Sequence, residues 1–147
     1  MNLTQLHEEW ALDANIDLMS LDKTARNTPL LHAKYIKLMS DAKLNLKRVE
    51  LEQKTLLKDK WLYYNGKLDK EEIKTKGWNP DPFDGLKVLK GEMSHYYDSD
   101  PEIQRSEERI TYYKTVVETL HEIIQNLNWR HQTIKNIIDW KRFENGG

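Results

Sequence analysis

Lys43, Lys47, Lys54, Lys58 and Trp61 carry the spacing with the clearest chemical meaning in this chain. On a helical wheel of about 100° per residue with Lys43 at zero, Lys54 falls near 20°, Lys47 near 40° and Lys58 near 60°. Trp61 returns to about zero, so the five residues form one ridge. Between Lys34 and Lys60 there are eight basic residues against four acidic ones, Asp41, Glu50, Glu52 and Asp59. Lysines in such a track pair with phosphates, and an indole stacks on a base of any type, which is what single-stranded nucleic acid requires. A solvated lysine face, with the neighbouring aromatics in a core, would produce the same pattern.

Other chemistry is poorly represented. His7, His32, His95, His121 and His131 share no metal-ligand spacing. There is no Gly-rich phosphate loop, nucleophile elbow or His/carboxylate constellation. No catalytic residue, metal or cofactor is therefore expected, and the chain does not read as an enzyme. The absence of Cys excludes disulfides and thiolate metal sites and fits a reducing, cytoplasmic setting. The N-terminus is too acidic for a secretory signal, and no apolar run approaches the ~20 residues that span a bilayer.

The ridge needs a long helix to carry it. Thr28-Pro29 reads as an N-cap followed by Pro at the first helical position. No Gly or Pro follows until Asn65-Gly66, a left-handed stop, so a helix is expected over about 29–64, some 54 Å long. Its apolar face carries Tyr35, Met39, Ala42, Leu46, Val49 and Leu57. Shorter helices are expected over 4–15, 22–27 and 86–96, with a loop at about 65–85 in which Trp78 and Phe83 anchor the chain.

Asp100-Pro101-Glu102 opens another helix, uninterrupted to Asn145. Ile103, Ile110, Tyr113, Val117, Leu120, Ile124, Leu127, His131, Ile134 and Ile138 recur at 4,3 spacing, a coiled-coil seam. Apolar Val116, Ile123 and Ile137 widen it beyond what two strands need, so packing on more than one neighbour is expected. A helix of about 65 Å exceeds the roughly 40 Å diameter of a compact chain this size. An overhanging apolar seam points to self-assembly through Ile110, Tyr113, Val117, Leu120, Ile124, Leu127, Ile134 and Ile138. The expected organisation is all-α, long hairpin-like helices with short N-terminal ones. An N-terminal binding region occupies 1–100 and an oligomerisation helix 101–147.

The chain also resembles the UvsY-type phage recombination mediators from end to end. Leu3, Leu6, Glu8, Glu9, Asp13, Ile16, Asp17 and Leu21 match at the N-terminus, and Lys34-Tyr35 falls in a Lys-aromatic pair. LLKDKWLYYNG aligns with a stretch reading Leu-Lys-Ala-Arg-Leu, then Tyr-Tyr and Gly. Arg130, Ile134, Lys135, Ile137, Asp139, Phe143, Glu144 and Gly146 match at the C-terminus. The resemblance implies a ring-shaped homo-oligomer, hexamer or heptamer, in the host cytoplasm. Such a protein binds single-stranded DNA and helps load a RecA-like recombinase onto DNA coated with single-strand-binding protein. By position it passes the DNA-binding role to Lys58 and Lys60, where Lys60 replaces an Arg and Asp59 an Ala. The wheel puts Lys60 near the apolar stripe, at about 260°, so contact with DNA would need snorkelling or a neighbouring subunit. A structural coiled-coil adaptor explains the heptads equally well, but not the lysine ridge.

Overall fold

The computed structural model describes residues 1–146, which form six α-helices and no strand. They are α1 (Leu3–Asp13), α2 (Leu21–Tyr64), α3 (Lys70–Lys76), α4 (Met93–Ser99), α5 (Pro101–Asn128) and α6 (Arg130–Glu144). A 3-10 turn, Lys90–Glu92, leads into α4. Gly147, the last residue of the expected C-terminal region, lies outside the described residues.

Three elements differ from the sequence expectation. First, α2 does not begin at Thr28-Pro29 but runs through it from Leu21. Thr28 is no N-cap: its hydroxyl donates back to the Thr24 carbonyl at 3.2 Å, a bond made inside a helix. The helix accommodates the missing Pro29 amide as a local defect. Second, α3 lies within the expected loop. Its seven residues hold one half-buried apolar side chain, Ile73, too few to show a period. Its local chemistry is complete nonetheless: Asp69 caps its start and Gly77 (φ 70°) its end. Third, the C-terminal helix breaks at Trp129. The Trp129 amide bonds to Asn126, three residues back, and the His131 ring takes up the Asn128 carbonyl at 3.0 Å.

The chain divides into two compact units, Met1–Leu44 with Tyr113–Gly147, and Asn45–Tyr112. The division does not follow the expected border near residue 100, because α2 and α5 each lend residues to both units.

The first unit is built on Leu6, Leu31, Tyr35, Ala42, Val116, Leu120, Ile123 and Leu127, with Trp10, Val117 and Ile124 packed against them. Trp10 meets Tyr35 edge to face at 5.5 Å. This core covers part of the seam within the chain. Leu120, Leu127 and Ile134 are buried inside this chain, Ile110 is buried in the second unit, and Val117 and Ile124 pack on the first core. A heptad pattern records that a helix face is covered, not which chain covers it.

Polar contacts lock the end of α1. Lys34 bridges Glu9 and Asp13 at 2.5 and 2.6 Å, and the Tyr35 hydroxyl donates to Asp13 at 2.7 Å. Burial alone would raise the Asp13 pKa, but these donors and the Lys34 charge hold it below the usual carboxylate value. Arg130, 4% exposed, donates to the carbonyls of Ala14 and Asn15 at 3.4 and 3.0 Å, just past the last turn of α1. A cation there also suits the helix dipole. Arg130→Ala is expected to cost about 2–3 kcal/mol, because two carbonyls lose a charged donor. Urea unfolding checks this, and a loss under about 0.5 kcal/mol, the scale of an ordinary surface change, would contradict it.

The second unit centres on Tyr63, Tyr64 and Leu68, with Trp78, Phe83, Met93, Tyr96 and Tyr97 around them. Trp78 and Phe83 are thus the anchors the sequence suggested. The unit closes on a buried ion pair, Lys60 with Asp100.

Candidate nucleic-acid interface

Within the second unit, α2 presents Lys47, Lys54 and Lys58 at its surface. None of the three takes part in an ion pair or hydrogen bond among the described residues. Along the helix they are spaced by about 10 and 6 Å, all on one side. Trp61 follows one turn later, 48% exposed. Lys43, in the first unit, is exposed on the same helix. Of the other cations on this helix, Lys34 is paired with Glu9 and Asp13, and Arg48 shares Glu52 with Arg109 of α5 at 4.0 and 3.4 Å, while Lys37 is exposed outside any ion pair among the described residues. Unpaired ammonium groups are the ones free to release counterions on binding a polyanion.

Lys60 is the exception among the candidate residues. It is 4% exposed, and its Nζ lies 2.9 Å from Asp100 and 3.7 Å from Glu102. The ammonium also sits 3.8 Å from the centroid of the Trp78 ring, a close cation–π contact. Asp100 accepts the Tyr64 hydroxyl on the same oxygen at 2.6 Å. Its other oxygen caps α5, taking the amides of Glu102 and Ile103 at 2.9 and 3.1 Å. Glu102 in turn accepts the Trp78 indole N–H at 2.5 Å. Burial pushes the Asp100 carboxyl up, but the bonds from Tyr64, Lys60 and Ile103 outweigh it and hold its pKa below the ordinary value. Lys60 therefore joins α2, the Trp78 loop and the start of α5. Its charge is neutralised inside the fold, so it does not point with the exposed lysines.

Asp59, the other departure, pairs with Lys76 of α3 at 3.2 Å. Its charge is partly neutralised there. One residue escapes the sequence reading. Lys67, just beyond the end of α2, places its Nζ 4.8 Å from the Trp61 ring centroid. The signal lies in Asn65-Gly66, because a left-handed stop turns the next residue back over the last helical turn.

Among the described residues no group of three or more His, Asp or Glu could hold a metal ion, and no helix is long and apolar enough to cross a membrane.

Unpaired lysines and an open indole along one helix are the elements with which proteins hold single strands without regard to sequence. Residues 9–147 match the model of the UvsY family, described as recombination, repair and ssDNA binding protein UvsY, and the chain belongs to that family. It is 27% identical over 146 residues to the recombination protein uvsY of Enterobacteria phage T4, with 99% of each chain covered. A crystal structure of the bacteriophage T4 recombination mediator protein UvsY matches with a TM-score of 0.82 at 27% identity, covering 99% of both chains. A second lattice form of the same protein matches at 0.79 and 26% identity, over 95% of this chain and 98% of that one.

Proposed function

We propose that this chain is a non-enzymatic recombination mediator acting in the cytoplasm of the phage host. It binds single-stranded DNA along Lys47, Lys54 and Lys58, with Trp61 at the end of the track. It helps a RecA-like recombinase displace single-strand-binding protein and form its filament. The observation that carries the reading is the row of exposed, unpaired lysines on α2, set beside the acid-paired Lys60 and Lys76. Membership of a family described by recombination and ssDNA binding supports it. The test is recombinase filament formation on oligonucleotide coated with single-strand-binding protein. Added protein should shorten the lag. An unchanged lag, with no oligo-dT binding at low salt, would leave only a structural adaptor.

The chain acts as a homo-oligomer, so that several weak tracks engage one strand and gain by avidity. With most of the α5 seam covered internally, the supporting surface is on α6. Trp140 and Phe143 stack at 5.5 Å yet remain 59% and 73% exposed, and Ile138 is exposed on the other side of the same helix, about 160° round from Trp140. Apolar area of this kind marks an interaction site. Ile138→Glu combined with Trp140→Glu should reduce the particle mass in sedimentation without loss of helix content. An unchanged mass would contradict the assignment. Ile124→Glu is the poorer test, because Ile124 packs on the first unit's own core.

A further inference from the structure

The position of Trp61 is set by the way α2 ends. Gly66 adopts a left-handed conformation, φ 68°, and the Lys67 amide donates to the Leu62 carbonyl at 2.8 Å, while the Gly66 amide donates to Tyr63 at 3.2 Å. This pair of bonds reverses the chain against the last helical turn. The reversal brings the Lys67 ammonium to the Trp61 ring. The Asn65 side chain donates to the Trp61 carbonyl at 2.7 Å and fastens the same turn. Tyr63 and Tyr64, two and three residues on, go into the aromatic core. Trp61 does not, and nearly half of its surface stays open. Lys67 has no acidic partner among the described residues, so its charge is not neutralised within the fold.

We propose that Trp61 and Lys67 form a base-stacking step at the end of the lysine track. One unpaired base of a single strand lies on the open part of the indole, and Lys67 takes a phosphate beside it. This rests on the single-stranded-DNA reading above and deepens it. The lysines alone read phosphates, which duplex and single strand both supply. A free base face is offered only by an unpaired strand, because in a duplex each base is already stacked. The Trp61–Lys67 pair is thus the element that favours single strands over duplex. It is indifferent to sequence, since every base has a π-face.

The test compares the full chain on two probes of equal length, oligo-dT and a strand of abasic sites. Wild type should bind oligo-dT about tenfold more tightly than the abasic strand, the scale of one stacked base. Trp61→Ala should lower oligo-dT affinity by about the same factor and abolish the preference, while Trp61→Phe keeps most of it. Lys67→Gln should weaken binding to both strands and reduce the slope of log K against log salt by about 0.7 for each engaged subunit, one phosphate contact apiece. The base preference should survive that change. If Trp61→Ala retains the full preference for oligo-dT, the stacking step is wrong. If at the same time Lys54→Ala with Lys58→Ala weakens both probes, the lysine track stands without it. If wild type binds neither probe, the single-stranded-DNA reading itself fails and the step fails with it.

Discussion

Lys60→Ala should destabilise the protein by about 3–5 kcal/mol, the cost of breaking a buried ion pair from one side. The reason is Asp100. Its side chain is 2% exposed and carries four contacts, from Lys60, Tyr64 and two amides of α5. Without Lys60 a buried anion keeps three hydrogen bonds but loses the fourth and its nearest cation. Lys60→Met would keep the stem against Trp78 and Tyr63 and still leave that anion uncompensated. Adding Asp100→Asn should recover part of the loss, because Asn is neutral and still caps a helix. The depressed Asp100 pKa gives the same contact a pH signature. Its stabilisation is fully present above the unfolded carboxylate value near 3.9 and fades as pH falls through the lower folded value. Urea unfolding at neutral pH measures the main effect. A Lys60→Ala variant with wild-type stability and defective DNA binding would show that Lys60 serves DNA after all. A variant that binds DNA poorly because it is partly unfolded is the expected confusion. The double variant, Lys60→Ala with Asp100→Asn, separates the two, since it regains stability without regaining the ammonium.

The second large effect concerns affinity with the fold intact. Lys47→Ala, Lys54→Ala and Lys58→Ala together should lower oligo-dT affinity at moderate salt by about a hundredfold or more, since three phosphate contacts are removed from each subunit. Stability should change by less than about 0.5 kcal/mol per site, as all three side chains lie at the surface without partners and Ala favours helix. Fluorescence anisotropy with labelled oligo-dT and a parallel thermal unfolding curve check both halves. Full affinity in the triple variant would move the DNA path off α2.

Much of this arrangement is legible in residue order because it is local. The α2 stop at Asn65-Gly66, the Asp100 cap and the lysine ridge each depend on residues within a few positions of one another. The differences share another cause. Asp100 reads as a cap, and it is one, but its second oxygen serves Lys60 from forty positions earlier. The wheel places Lys60 near the apolar stripe, and the structure finds it buried there. Thr28-Pro29 has the composition of a helix start, and only the packed helix on both sides shows that the chain runs through it. The α5 seam is visible as a covered face, whereas what covers it, other helices of the same chain, is a tertiary fact.

The lysine track is tested most directly by the salt dependence of oligo-dT affinity, wild type against the Lys47, Lys54 and Lys58 triple alanine variant. The slope of log K against log salt should flatten in the variant by about 2 for each subunit engaged on the strand, at about 0.7 for each phosphate no longer neutralised. Parallel lines of equal slope would mean that these lysines do not touch the strand.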